Sequence, residues 1–291
     1  MGLSIDFLPA DADLSPWALG VSILRADGVG PAQFSVPAHT LAISTVMLRG
    51  ELWSVDRQGQ RCQMPMRYAT GSATHAQGFE ASPDAVCASL MCVASVLPLV
   101  TGRSADQFVN SFAAPDWLGH ATDLTSALSN HALAKGLMDS LRQRLTNVRP
   151  TQGALAFLAT LQQWDGSSLV PAGWHARRWQ RACKHQLGVT PKLLQRLVRL
   201  HQSAQIGITN QAFISMALTT DWAEHALNAG YSDQSHMLRD YRDLAGITPA
   251  RAAGGGQKAG LHALHIGANA LVPRLLPGVS AVSDLSNTPG R

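Results

Sequence analysis

The chain has 291 residues, 46% of them hydrophobic and 14% charged, which excludes a wholly disordered or collagen-like polypeptide and fits an ordinary globular protein. That length has room for two domains, each with a core of its own. A formal net charge of +4 is too small to mark a nucleic-acid partner by itself, so the distribution of charge has to carry that question.

In chain order, the opening MGLSIDFLPADADLS carries acids where a secretory signal needs a basic start and an apolar core, so no export signal is expected. Residues 15 to about 80 read as β-rich. Short apolar runs at 17–24 and 41–48 are punctuated by Gly and Pro clusters, the pattern of a sandwich or small barrel. Trp17, Trp53 and Tyr68 are the aromatics placed to line a pocket there or to fill its core. The stretch 85–102 runs 18 residues without a charge. It holds Pro98, several hydroxyls and two cysteines, so it reads as a buried strand followed by a short helix rather than a membrane span. Residues 116–148 then turn helical, with Leu124, Leu128, His131, Leu133, Leu137, Leu141 and Leu145 on one face. Such a helix serves as core, dimer seam or connector.

The last third contains an internal repeat. Ala172-Gly173-Trp174 precedes Gly188-Val189-Thr190-Pro191, and Ala229-Gly230-Tyr231 precedes Gly246-Ile247-Thr248-Pro249. Each unit encloses one short helix between a glycine turn and a Thr-Pro restart, the layout of a helix-turn-helix and its recognition helix. In the first unit Trp179, Cys183 and Leu187 form the buried stripe, with His175 at the cap position. Arg177, Arg181 and Lys184 lie opposite, flanked by Arg178 and Gln180. Arg pairs bidentately with guanine, Gln with adenine, and Lys neutralises phosphate. From 174 to 200 there are seven basic residues and no acidic one, whereas 1–150 has 10 basic against 12 acidic. The following helix points Leu193, Leu194, Leu197 and Leu200 inward, with Arg196 and Arg199 expected outward. In the second unit Asp221 and Asp233 are N-caps and Met237, Leu238, Tyr241 and Leu244 face the core. Gln234, Ser235, His236 and Arg239 lie at the exposed end. Acids flank this second helix, so phosphate contact there should be weak.

The stretch Gly230-Tyr-Ser-Asp-Gln-Ser-His-Met-Leu-Arg-Asp-Tyr-Arg-Asp-Leu-Ala-Gly-Ile-Thr-Pro249 resembles the signature of the AraC/XylS family of bacterial transcription regulators, G-Y-x-D-Q-x-H-F-x-R-x-F-R-x-x-x-G-x-[ST]-P. Met237 and Tyr241 stand where phenylalanine is usual. Arg177–Arg181 and Leu187–Pro191 resemble the first half of the same domain less closely, and the likeness covers about 155–251. It implies two helix-turn-helix units joined by a long helix, each placing a recognition helix in one of two successive major-groove segments. The matching base-edge positions are Arg177, Gln180 and Arg181, then Gln234, Ser235, His236 and Arg239. Pro171 is expected inside the scaffold helix of the first unit, where it would kink it. Fainter likenesses at 34–37, 41–48 and 97–108 point to a cupin-like sensor or dimerisation domain.

The expected fold is therefore α+β: a β-rich, cupin-like domain over 1–150, an all-α double helix-turn-helix over 151–251, and a disordered tail over 252–291. The expected activity is sequence-specific binding of double-stranded DNA in the bacterial cytoplasm, at the nucleoid. RNA polymerase, a small-molecule effector at the N-terminal domain and a second copy of the chain are candidate partners, and no membrane is. The alternative is a protein-interaction module whose first DNA-binding unit has degenerated. The chain carries no nucleophile elbow, P-loop or HExxH, so no enzyme and no catalytic residue is expected. Cys62, Cys87, Cys92 and Cys183 form no CxxC pair and no zinc spacing with His, so no metal and no cofactor is expected.

Overall fold

The computed structural model describes residues 2–14, 17–113, 129–164, 166–209 and 221–249. The expected disordered tail at 252–291, and Leu124 and Leu128 of the helical run, lie outside the described residues.

The strands pair antiparallel in two sheets. The larger has the order β1 (Leu3–Pro9), β2 (Ala18–Ala26), β9 (Val86–Val93), β4 (Leu41–Arg49), β7 (Arg67–Thr70) and β10 (Phe112–Ala113). The smaller runs β3 (Ala32–Val36), β8 (Gln77–Ala81), β5 (Leu52–Val55) and β6 (Arg61–Gln63). The two apolar runs read from the sequence are thus β2 and β4, both pairing with β9 in the middle of the larger sheet.

Side-chain alternation explains the layering. On β2 and β9, Val21, Ile23, Ala88 and Leu90 face outward into a core closed by a helix. Leu24 and Cys87 face the smaller sheet and pack with Met47, Leu52, Tyr68 and Phe79. The closing helix is α2 (Asn130–Thr146), which follows a short α1 (Val96–Thr101) and a single 3-10 turn (Ala105–Phe108). Ser129 caps α2 by accepting from the Ala132 amide, and Leu133, Ala134, Leu137, Met138 and Leu141 are buried. His131, expected on that face, is exposed. The face of α2 is therefore core, pinned at its far end by Arg142, which donates to Asp11 (2.8 Å) and Asp13 (2.7 Å). The uncharged stretch 85–102 is β9 followed by α1, and no helix among the described residues is long and apolar enough to cross a membrane.

The C-terminal part is helical: α3 (Gln152–Gln163), α4 (Ala176–Leu187), α5 (Pro191–Thr209), α6 (Trp222–Asn228) and α7 (Gln234–Asp240), with a single wide turn (Tyr241–Ala245) extending α7. One expectation is overturned here. Pro171 does not interrupt a helix, because α3 ends at Gln163 and residues 166–175 are bends and turns. Pro171 instead accepts the Trp174 amide at 3.2 Å in the turn that launches α4.

Candidate nucleic-acid interface

α4 and α7 are the two candidate recognition helices, and each begins and ends as its sequence requires. His175, a poor cap by type, still caps α4 by accepting the Arg177 amide at its Nδ1, 3.4 Å away. Trp179, Cys183 and Leu187 are completely buried, and burial pushes the Cys183 thiol up to about 12, so it stays protonated and inert. Gly188 ends the helix at φ 74°, in the left-handed region. Thr190 then caps α5 by accepting from the Leu193 amide at 3.2 Å. With the stripe buried, Arg177, Arg178, Gln180, Arg181 and Lys184 are all left exposed. Arg178 lies 5.0 Å over the Trp174 ring, so it is partly committed to packing.

No scaffold helix precedes α4 among the described residues 166–175; aromatic rings occupy its place. Trp179 packs 5.2 Å from Phe157 and from Trp174, and 5.7 Å from Trp164. Both outer indoles are anchored, Trp174 to Thr160 Oγ1 and Trp164 to the Ser168 carbonyl.

The second unit has a complete frame. Asp221 caps α6 through the Ala223 and Glu224 amides, and Asp233 caps α7 through the His236 amide at 2.8 Å. That hydrogen bond holds the Asp233 carboxyl below the usual range. Met237, Tyr241 and Leu244 are buried and Leu238 is half-buried. Gln234, Ser235 and Arg239 are exposed. His236 is half-buried, near Ser232 Oγ at 3.2 Å and edge-on to Tyr231 at 5.3 Å. Behind α7, Ser203 Oγ of α5 lies 2.9 Å from His225 Nε2 and 3.0 Å from the Tyr241 hydroxyl.

Two of the basic residues expected to point outward do not. Arg196 bridges α5 to the second unit, donating to Asp240 at 2.8 Å and to Asp243 at 2.9 Å. Arg199 lies 5.4 Å over the Tyr231 ring, and its Nε is buried without a hydrogen-bond partner. Both had the right charge and register, but Asp240 and Tyr231 lie far along the chain, so sequence periodicity could not assign these partners.

The sequence reading also missed how closely the β-domain grips both units. Ser72 Oγ donates to the Leu187 carbonyl at 2.5 Å, and the Ala38 amide donates to the Leu244 carbonyl at 2.7 Å. One patch of the β-domain thus donates a hydrogen bond to one carbonyl at the C-terminal end of each candidate segment. A Cβ on Gly188 would stand 2.9 Å from the Ala105 carbonyl oxygen, and one on Gly246 would stand 3.0 Å from the Ala76 Cβ. Glycine is needed at both seats for its φ and for this close approach. The apolar core is continuous across the same boundary, with Leu41, Met91 and Val93 of the sheet packed into the α3–α4 cluster. Two histidines are buried there, His39 and His201, and burial lowers each to about 4. Neither ring nitrogen of His201 has a hydrogen-bond partner.

Between the sheets lies a cavity of about 110 Å³, lined by apolar side chains such as Leu24, Ile43 and Phe79, with His39, Thr45 and Gln77 among its polar walls. Tyr68 lines it as expected. Trp53 does not; it packs under Arg61, whose guanidinium lies 4.4 Å from the ring centre. Trp17 does not either, since it belongs to a different cleft. Among the described residues no cluster of His, Cys, Asp and Glu could hold a metal ion.

The molecule is thus a β-domain seating two short helices whose polar ends face outward. No protein-family model matches the sequence, nor does any curated protein. Among solved structures, ToxT from Vibrio cholerae O395 aligns with 80% of this chain and 96% of its own, at 9% identity and a TM-score of 0.35. Another ToxT structure, the P21 form, covers 87% and 98% at 8% identity and a TM-score of 0.36. Wild-type ToxT from Vibrio cholerae strain SCE256 with an unsaturated fatty acid bound covers 86% and 94% at 9% identity and a TM-score of 0.33. At these values the likeness assigns neither a family nor a ligand to this chain.

Proposed function

We propose that this protein is a sequence-specific DNA-binding transcription regulator of the AraC/XylS type. The observation that carries the reading is the partition of the 230–249 motif. Its apolar positions Tyr231, Met237, Tyr241 and Leu244 are buried, while Gln234 and Ser235 are exposed at the start of α7 and Arg239 is exposed in its last turn. Exposed polar side chains at the N-terminal end of a short helix after a tight turn are what base-edge reading requires. The five exposed polar residues of α4 supply a second such face, with phosphate-binding charge in excess.

In this reading α7 specifies sequence through Gln234, Ser235, His236 and Arg239. The first unit grips the backbone through Arg178 and Lys184 and reads bases through Arg177, Gln180 and Arg181. The β-domain is the regulatory half: an effector enters the inter-sheet cavity, and the grip on Leu187 and Leu244 passes its effect to both readers. RNA polymerase or a second copy of the chain would meet the same body, in the cytoplasm at the nucleoid.

Selection of genomic DNA by the purified full-length protein at physiological salt tests the reading. A motif of two boxes about one helical turn apart is expected. A second reading, a protein-interaction module, is favoured by the missing scaffold helix before α4; it requires DNA affinity that is absent or independent of sequence and salt.

A further inference from the structure

A second cleft, of about 140 Å³, opens where four separate stretches of chain meet. Trp17, Pro98 and Leu99 of the β-domain give it an apolar wall. Arg149 of the connector after α2 lines it from another side, and His185 and Gln186 from the last turn of α4 complete it. Among the described residues no Asp or Glu lines it. Helix α3 starts at its edge, with Thr151 as cap and no acidic residue in the first turn, so the positive end of a 12-residue helix adds to the Arg149 charge.

A second observation is independent of charge. Ser95 lines the same cleft, is only 2% exposed, and its hydroxyl has no hydrogen-bond partner. Buried hydroxyls are ordinarily satisfied, so an orphan at the wall of a cleft marks a place for a ligand atom. The volume narrows the ligand. A cavity of about 150 Å³ accommodates benzene, so this one takes a body of about that size.

We propose that this cleft binds a small organic carboxylate with a compact apolar body, its carboxylate on the Arg149 side and its body against Trp17, Pro98 and Leu99. The site is separate from the inter-sheet cavity, since the two share no lining residue. Because His185 and Gln186 belong to α4, an occupied cleft ties the first reader to the connector and the β-domain. Binding itself is independent of the DNA-reading proposal; only its effect on DNA affinity rests on that reading.

Calorimetric titration of the full-length protein, without DNA, tests the site with benzoate, benzyl alcohol and inorganic phosphate as probes. Saturable benzoate binding is expected, with benzyl alcohol and phosphate each at least about tenfold weaker, because each lacks one half of the recognition. Arg149→Ala, at an exposed position, should weaken benzoate about tenfold or more, and Ser95→Ala several-fold. Ala154→Phe, which fills the cleft beside α3, should abolish binding. Unchanged unliganded melting of the Arg149→Ala and Ala154→Phe proteins separates loss of the site from loss of the fold. The proposal is overturned by any of three results: no benzoate binding up to about 10 mM, equal binding of the neutral alcohol or of phosphate, or benzoate binding indifferent to both of these variants. That last result would place the ligand elsewhere, as in the inter-sheet cavity.

Discussion

The two candidate recognition units expose different charge, the first basic and the second flanked by acids, and are held from behind by different contacts. α4 rests on rings: Trp179 is fully buried among Phe157, Trp164 and Trp174. α7 rests on a smaller apolar cluster with Leu197, Leu200 and Ala226, and adds directional polar contacts, the Ser203–His225–Tyr241 group and the Arg196 bridge to Asp240 and Asp243. The difference follows from what precedes each helix. The second unit has α6 to pack against, and a helix pair leaves small gaps that polar partners close. The first has no such helix among the described residues, and only large side chains fill that volume. A loss by truncation should therefore dominate in the first unit, and a loss by unpairing in the second.

Trp179→Ala should have the largest effect, about 3–5 kcal/mol, because it empties the centre of a cluster shared with the sheet residues Leu41 and Val93. Denaturant unfolding measures it, and a loss under about 1 kcal/mol would mean that the ring cluster does not hold α4. Arg196→Ala tests the second unit by unpairing. It strands Asp240, which is 1% exposed and already has one oxygen without a partner, at a cost of about 3 kcal/mol. Replacing both partners together, as Arg196→Met with Asp240→Leu, removes the buried charge and should recover most of that loss. If the double variant is no better than the single one, the bridge is not what seats α7.

The seam between the β-domain and the helices adds a dependence on acid. His39 and His201 stay neutral in the folded protein down to about pH 4, against 6.5 for a free histidine, chiefly through burial. Between those values the unfolded chain binds more protons, so stability falls as pH drops from 6.5, and the loss is complete near 4. At pH 5 it should reach roughly 2 kcal/mol per ring. Melting curves from pH 7 to 5 should show this slope, to which His225, also lowered by burial, adds, so His201→Gln should flatten it only in part. An unchanged slope in that variant would move the sensitivity away from this seam.

Much of each unit was legible because its rules are local. Caps at His175, Asp221 and Asp233, the stripe Trp179–Cys183–Leu187 and the Gly188 stop all follow from spacing within four residues. The strands at 18–26 and 41–49 were legible from the apolar runs at 17–24 and 41–48 and their Gly and Pro breakers. What escaped depends on partners distant in sequence. Arg196 meets Asp240 across 44 positions and Ser72 meets Leu187 across 115, and neither spacing leaves a periodic trace. Pro171 misled for a different reason: the family resemblance implied a scaffold helix there, but the rings of Phe157, Trp164 and Trp174 pack around Trp179 instead.

The smallest effects are the most informative about division of labour, since they touch DNA and not the fold. Arg239 is exposed on α7, and if it reads a base, Arg239→Ala should cost about 1–3 kcal/mol on the preferred sequence and relax choice at one position. Lys184 is exposed on α4, four residues before the Gly188 stop, where a flexible ammonium suits phosphate rather than a base edge. Lys184→Ala should weaken all sequences alike and lower the slope of log affinity against log salt by about 1. Measuring both variants on one preferred and one scrambled duplex over a range of salt separates the two helices. A salt slope that falls only with Arg239→Ala, or sequence choice that relaxes only with Lys184→Ala, would exchange their roles. The basic first unit would then be the reader, and the acid-flanked second unit the grip.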